Sequence, residues 1–423
     1  MRASRGLLFS LTFAGALGCA GTQPEVRAAL SGSLPQLQQE IAQAERAGPL
    51  SDARLEELAR AVAEREIASA QGAEGVTQLS ALRPCVSELE SALRERSERG
   101  DEPAATALLL LFQAGSSDGS ELVERYKEAD SGAFRALAAH AARARKYAEL
   151  RRRYFIDPDE RVRRGAFEAA SRAPIVEQLP DLLEAARLDP SPLNRARAAQ
   201  AVGRIGTEAA VLGLMDLVSA GDEQEQLAAL DAFSQPRAFA HGGERELGRA
   251  LSRSGLVSVS AASLLLRSRE WRGAAVGVLA RAIAEGSDDE RRVALMSAPL
   301  EDAPIQDALE KAAKSPSPEL TPLVLSRLAE LPGKAQEARA ALEKLAQDKG
   351  DVGLEASYAL ARLGSAAAIT RVEQELSSPR AVRRLRASVT LASLGKRQRL
   401  APRLADQSPL VRASLACRLT EAS

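Results

Sequence analysis

A short motif in the first third of the chain has the spacing of a hydrolase nucleophile. Residues 115–119, GSSDG, match the pattern Gly-x-Ser-x-Gly and make Ser117 the candidate nucleophile. The motif works where a strand enters a strained turn and a helix leaves it, which exposes the hydroxyl beside an oxyanion hole. The preceding PAATALLLLFQAG instead predicts a helix, and no spacing ties His140 or His241 to Ser117. We therefore expect Ser117 to lie in a loop between helices, and an envelope hydrolase using Ser117 is the alternative function.

Residues that hold metals are scarce in this chain. Its 423 residues include two histidines and three cysteines, none of which has a second such residue at the spacing of a metal site. The sequence therefore predicts no metal, no cofactor and no catalytic residue.

The first residues have the layout of a bacterial export signal. Arg2 and Arg5 precede an apolar run over residues 7–17, which is too short to span a membrane as a mature helix. The run ends in Ala-Leu-Gly before Cys19, and this segment resembles the lipobox of bacterial lipoproteins. The resemblance implies cleavage just before Cys19, acylation of its thiol and, because Ala20 stands where an inner-membrane retention signal has Asp, anchoring in an outer membrane. An ordinary secretory signal and an uncleaved anchor are the alternatives.

The rest of the chain contains an internal repeat. Residues 157–174, DPDERVRRGAFEAASRAP, align without a gap on residues 189–206, DPSPLNRARAAQAVGRIG, at an offset of 32 residues. Residues 351–369 and 378–395 repeat the same rhythm of small residues, and another unit begins at residue 406. Repeats of this length are supersecondary units that bury their apolar faces by stacking.

Each unit predicts a pair of helices. In the second copy Ser191 is the expected N-cap and Pro192 the first helical residue, because a side-chain oxygen can satisfy free backbone N–H groups and proline is tolerated in the first turn. Small residues such as Ala198 recur at helical spacing, and Gly206 is expected to end the helix at a positive φ. The stretch TEAAVLGLMDLVSAG, residues 207–221, then predicts a second amphipathic helix.

These helix pairs resemble HEAT repeats of the short subclass first described in phycobilin lyases, over about residues 157–420. The resemblance implies an all-α fold, an α-α superhelix or HEAT-like α-solenoid, in which an early arginine such as Arg163 or Arg412 bridges to an aspartate of the neighbouring repeat. The two histidines lack the His-Glu pairs of HEAT-repeat hydroxylases, which excludes that activity. A phycobilin-lyase-like protein is a further alternative.

The predicted organisation has four parts. Residues 1–18 are the signal peptide, residues 19–32 the acylated cysteine and a flexible tether, residues 33–156 divergent helical repeats and residues 157–423 the HEAT-like array. A separate helical cap is the alternative for the third part. Cys85 and Cys417 lie near opposite ends of an array expected to be elongated, so we expect them to be unpaired.

Charge suggests where a partner could bind. Lysine plus arginine equals aspartate plus glutamate at 57 each, and export removes the chain from most nucleic acid, so no nucleic-acid partner is predicted. Two arginine clusters form the candidate surface for a protein partner, since arginine is a favoured interface residue, although solvated helix faces are the alternative. The candidate residues are Arg151, Arg152, Arg153, Arg380, Arg383, Arg384 and Arg386.

Together these features predict a non-catalytic scaffold of a bacterial cell envelope, held at the membrane through Cys19. It would lie on the periplasmic side of the outer membrane or at the cell surface, and the second helices of the pairs would face a protein partner.

Overall fold

A computed structural model describes residues 23–314 and 317–420. Cys19 and the predicted signal segment 1–18 lie outside the described residues. Within the described ranges the chain is all-α and contains no strand, which confirms the predicted fold class. The α-helices are α1 Pro24–Ser31, α2 Leu34–Ala47, α3 Asp52–Ser69, α4 Gly72–Ser80, α5 Glu90–Ser97, α6 Glu102–Gln113, α7 Gly119–Tyr126, α8 Gly132–Ala141, α9 Ala148–Phe155, α10 Glu160–Arg172, α11 Leu179–Leu188, α12 Pro192–Ile205, α13 Glu208–Ala220, α14 Glu223–Phe233, α15 Pro236–Ala238, α16 Glu244–Ala250, α17 Gly255–Leu265, α18 Arg272–Glu285, α19 Asp288–Ser297, α20 Ala303–Ala312, α21 Thr321–Leu328, α22 Ala335–Leu345, α23 Asp351–Arg362, α24 Ala366–Glu375, α25 Ala381–Ser393 and α26 Pro409–Thr420.

Four 3-10 segments and one π-helical segment complete the described helical structure. They are Arg83–Leu89, Arg145–Tyr147, Val176–Gln178 and Arg397–Ala405, which are 3-10, and Phe239–Gly243, which is π-helical.

Successive helices pack in two layers. The helices α6, α8, α10, α12 and α14 lie side by side, and each also packs against the helix that precedes it in the chain. Helix α8 packs on both α6 and α10, so the packing runs without a break through residue 156, where the regular repeats begin. As predicted, α12 starts at Pro192 and Gly206 follows it at a φ of 60°. Ser191 stands at the N-cap position, but it makes no capping bond, because its hydroxyl donates to Glu160 at 3.1 Å instead.

Two glycines let the helices of the first layer approach closely. A Cβ atom on Gly165 of α10 would lie 2.8 Å from the carbonyl oxygen of Ala136 in α8, and one on Gly203 of α12 would lie 2.3 Å from that of Ala232 in α14. The helices α9, α11 and α13 of the second layer contact one another much less than those of the first. This half of the array therefore curves with α8, α10 and α12 on its concave side.

The two ends of the array meet, so the array is closed. Helix α26 packs on α3, on α4 and on the 3-10 segment Arg83–Leu89, and α2 packs on the segment Arg397–Ala405. We call this contact between the two ends of the array the seam. Across it, Gln38 donates a hydrogen bond to the carbonyl oxygen of Ala405 at 3.0 Å. The expectation of an elongated array was wrong. In an open array α3 would have no neighbouring repeat on one side, whereas here the last helix, α26, packs on that side.

Closure also pairs the two cysteines that we expected to be unpaired. Cys85 and Cys417 form a disulfide across the seam, with their Cα atoms 5.4 Å apart. That expectation was wrong because it rested on distance in an open array, whereas α26 lies directly beside the segment Arg83–Leu89.

The predicted flexible tether is shorter than residues 19–32. Residues 24–31 form α1, which packs on α2 and α3 and buries Val26. The carboxylate of Glu25, 1% exposed, pairs with Arg54 of α3. No repeat pattern in the sequence indicates this helix, because it is a single short helix that precedes the regular repeats.

A recurrent arginine connects several of the repeats to their neighbours. In Arg163, Nη1 donates to the carbonyl oxygens of Asp157 and Pro158, while Nε donates to Asp189 of the following repeat at 2.7 Å. This confirms the bridge that the resemblance implied. We call the residues that bond in this way the bridging arginines: Arg135, Arg163, Arg384 and Arg412.

Arg412 makes the same bridge across the seam. Its Nη1 donates to the carbonyl oxygens of Asp406 and Gln407, and its Nε and Nη2 donate to the carboxylate of Glu66 at 2.6 and 3.0 Å. Glu66 is fully buried in α3 and also accepts a bond from Gln78. Burial raises the pKa of Glu66, and the hydrogen bonds from Arg412 offset part of that rise.

Removing Arg412 should therefore open or destabilise the seam. We expect Arg412→Met to lower the free energy of unfolding by about 3–5 kcal/mol, because it leaves a buried carboxylate without its partner. Urea unfolding followed by circular dichroism measures the loss. The matched control Arg187→Ala, which breaks the exposed pair with Asp216, should cost about 1 kcal/mol or less.

The loss of stability in Arg412→Met should also depend on pH. Without Arg412 the folded-state pKa of Glu66 rises further above its unfolded value, so protonation favours the folded state and stability falls as pH rises through that window. The variant should thus be less destabilised near pH 5 than near pH 7, and adding Glu66→Gln should restore part of the loss at pH 7. Equal losses at both pH values would contradict a buried charge at this seam.

The disulfide should contribute independently of the Arg412 bridge. Because it closes a very long loop, reduction should lower the free energy of unfolding by about 2–5 kcal/mol, and a Cys85→Ala/Cys417→Ala variant should not respond to reductant. Thiol labelling of the unreduced wild-type protein should leave both residues unmodified. Labelling of Cys85 and Cys417 under denaturing, non-reducing conditions would show that the disulfide does not form.

Candidate functional site

Ser117 lies in the turn between α6 and α7, as expected. A helix and not a strand precedes it, so the setting of a nucleophile elbow is missing there. His140 in α8 lies 3.3 Å from Glu168 of α10, and His241 bonds through Nδ1 to the carbonyl oxygen of Arg237. Within residues 23–314 and 317–420 no hydrogen bond joins either histidine to Ser117, and no cluster of His, Cys, Asp and Glu could hold a metal ion.

The first predicted arginine cluster, on α9, is used mainly inside the protein. Arg151 is fully buried and donates to the carbonyl oxygen of Ala173 at 2.9 Å, and burial lowers its pKa to about 10. Arg152 pairs with Asp181 at 3.0 Å, and Arg153 pairs with Glu128 at 3.2 Å. Including Arg151 in a binding surface was wrong, because its side chain fills the space between α9 and α10.

The second predicted cluster, on α25, is largely paired as well. Arg384 is a bridging arginine whose side chain is 12% exposed, and it holds Asp406 at 2.7 Å. Arg383 pairs with Asp351, and Arg386 pairs with Glu355. Arg380, just before α25, is exposed and has no ion pair in the described part of the chain. The two clusters lie on helices that do not touch, so they do not form one surface.

A different set of arginines does come together. A cavity of about 710 Å³ on the concave side is lined by residues from the segment Arg83–Leu89, from α6, from α10 and α12 and from the end of α8. Five of the lining residues are arginines, and one is a carboxylate, Glu168. We call these arginines the concave arginines: Arg83, Arg143, Arg172, Arg197 and Arg204.

The local packing holds two of the concave arginines in place. The guanidinium of Arg143 lies over the ring of Phe112, 4.3 Å from its centroid. Arg197 donates from Nη1 to Gln200 at 2.9 Å, and its Nε lies 3.8 Å from Glu168. The Nε atoms of both arginines are buried and have no hydrogen-bond partner among the described residues. Each therefore retains a donor that no protein atom satisfies.

The remaining three concave arginines lack carboxylate partners. Among residues 23–314 and 317–420, Arg83, Arg172 and Arg204 make no ion pair, and all three side chains belong to exposed residues. Burial and the positive charge of Arg172 lower the pKa of Arg143. Like charges held this close repel each other, so the cavity has an unfavourable excess of positive charge that an anion would relieve.

Glu168 does not neutralise this excess. The hydrogen bond from His140 lowers the pKa of Glu168, and the positive charges of Arg197 and Arg83 lower it further. Its carboxylate is therefore ionised at neutral pH, but it is one negative charge facing five arginines. The arrangement can bind an anion.

Sequence reasoning missed the concave arginines. They are spread over more than a hundred residues, on α10, on α12, in the turn after α8 and in the segment Arg83–Leu89, so no single basic run contains them. The signal that could have found them is positional: Arg172 and Arg204 are at equivalent places in the two gapless repeats, 32 residues apart.

The bridging role of Arg384 can be tested against its exposed neighbour. Arg384→Ala should lower the free energy of unfolding by about 3 kcal/mol or more, because it leaves the 2%-exposed side chain of Asp406 without its partner. Arg380→Ala should change it by less than about 0.5 kcal/mol. Equal effects in urea unfolding would contradict this distinction.

Comparison with known proteins adds little to what the contacts within the chain show about its function. No family model matches the sequence, and no curated protein matches it. Among solved structures, an engineered protein that was a target of the Northeast Structural Genomics Consortium is similar, with 15% identity over 94% of this chain and 98% of that one and a TM-score of 0.27. That similarity is too low to carry an argument. In the described part of the chain, none of the helices has the length and apolar character needed to span a bilayer. The chain is a closed helical-repeat protein with an arginine-lined concave cavity.

Proposed function

We propose that this protein is a non-catalytic, HEAT-like scaffold of a bacterial cell envelope, anchored through acylated Cys19, that binds an anionic partner on its concave side. The observation that carries the proposal is the set of five concave arginines, which line one cavity with a single carboxylate, Glu168. Binding sites hold charges that the folded protein alone leaves unsatisfied.

Two features support the envelope location. The segment before Cys19 resembles a lipobox, and acylation at that residue gives durable anchoring when more than one chain is attached. The Cys85–Cys417 disulfide is of the kind found in oxidising compartments, which include the periplasm and the cell surface. Such a tether would leave α1 as the first folded element beyond the membrane.

The closed array supports a scaffold role. A ring whose ends are joined by Arg412, Glu66 and a disulfide holds its concave side in one shape, which reduces the ordering cost of binding. The open superhelix predicted from sequence would flex along its length. The cavity is lined mainly by first helices, α10 and α12, whereas we expected the second helices to face a partner.

The anchor is tested by metabolic labelling with a fatty-acid analogue. Wild-type protein should incorporate the label and fractionate with the outer membrane, whereas Cys19→Ala should lose both properties, since the thiol is the attachment point. Cys85→Ala serves as the matched control and should still be labelled. Equal labelling of wild type and Cys19→Ala would contradict acylation at Cys19.

A further inference from the structure

We infer that the concave cavity binds an extended acidic segment of a protein, with its carboxylates paired to Arg83, Arg143, Arg172, Arg197 and Arg204. This inference rests on the proposed binding role and names the chemistry of the partner. Its grounds are the spacing of the arginines, the remaining lining of the cavity and the lack of exposed aromatic rings there.

The spacing of the arginines suits a chain rather than a single small anion. The arginines come from α10, from α12, from the turn after α8 and from the segment Arg83–Leu89, and packed helices lie about 8–10 Å apart. The row α8, α10 and α12 therefore spans about 16–20 Å, which an extended peptide covers with about five or six residues at about 3.3–3.6 Å each. One phosphate or carboxylate would reach only part of this row.

The other lining groups suit a peptide. Val86 and Leu110 give the cavity an apolar part, and Gln113 and Ser171 supply an amide and a hydroxyl group that can bond a peptide backbone. Arginine forks pair with carboxylates through two parallel hydrogen bonds. The lining thus offers partners for acidic side chains, apolar side chains and main-chain groups together.

Single-stranded nucleic acid fits the cavity less well. Proteins that bind it stack the bases on exposed aromatic rings. No aromatic residue lines this cavity, and the nearby Phe112 is 9% exposed with Arg143 lying over its ring.

A second cavity on the same layer provides a matched control. It has a volume of about 670 Å³ and is lined by residues of α21 and α23, among others. Three arginines and three carboxylates share it, so its charge is balanced. Arg362 of α23 is exposed there, as Arg172 and Arg204 are in the concave cavity.

The test measures fluorescence anisotropy of a labelled ten-residue peptide with six glutamates, two leucines and two glycines, using full-length protein in detergent. The peptide should bind at low salt and weaken at high salt, because exposed charges are screened. An Arg172→Glu/Arg204→Glu variant should lose at least about tenfold in affinity, while Arg362→Glu should bind like wild type. Glu168→Gln should bind more tightly, since it removes the one carboxylate that repels the peptide, and a misfolded variant would not show such a gain.

Three results would overturn the inference. They are equal binding of a matched peptide with glutamine in place of every glutamate, an equal loss of affinity in Arg362→Glu, and binding of polyphosphate without binding of the acidic peptide. Circular dichroism and retention of the Cys85–Cys417 disulfide verify folding of each variant. Acylation of Cys19 is measured on the same preparations, so failure of the anchor and failure of the peptide site give different results.

Discussion

The contact between Arg412 and Glu66 is the constraint on which the closed architecture depends. It is the ordinary inter-repeat bridge of this chain, made once more between the last helix and α3. A bridging arginine is stable only when its forward-facing Nε and Nη2 meet a carboxylate, because these groups are largely removed from water. In an open array the last arginine would lack that acid and Glu66 would lack its cation. Closure of the array gives Arg412 and Glu66 to each other as partners. Because α3 and α26 pack together, neither needs a polar capping repeat.

The same logic explains why so many arginines in this chain do not mark a binding surface. A bridging arginine donates two hydrogen bonds to carbonyl oxygens of its own repeat and two to a carboxylate of the next, as Arg163 and Arg384 show. The fork geometry of the guanidinium suits this simultaneous bonding, and a lysine could not reproduce it. A basic run in the sequence therefore indicates contacts between neighbouring repeats before it indicates a binding surface. The concave arginines are outside this bonding pattern.

The sequence predicted the local architecture well and the global closure not at all. The repeat at 32 residues, the start of α12 at Pro192 and the stop at Gly206 follow from capping and helical periodicity, which are local. The pairing of Cys85 with Cys417 depends on the small rotation between repeats summed over the whole array, and no residue pattern records that sum. Asp189 shows the same limit: it looked like an opening residue of a helix, but it accepts from Arg163 and from the backbone N–H of Ser191.

The candidate site also depends on the curvature of the array, which no pattern in the sequence indicates. Gly165 and Gly203 bring α8, α10, α12 and α14 close together on one side, and that approach turns arginines near separate helix ends toward a common cavity. In a flatter array Arg172 and Arg204 would lie further apart, and their charges would be solvated individually. The curvature that lets Arg412 reach Glu66 is thus also the curvature that concentrates positive charge on the concave side. Closure and anion binding are therefore two consequences of the same close helix packing.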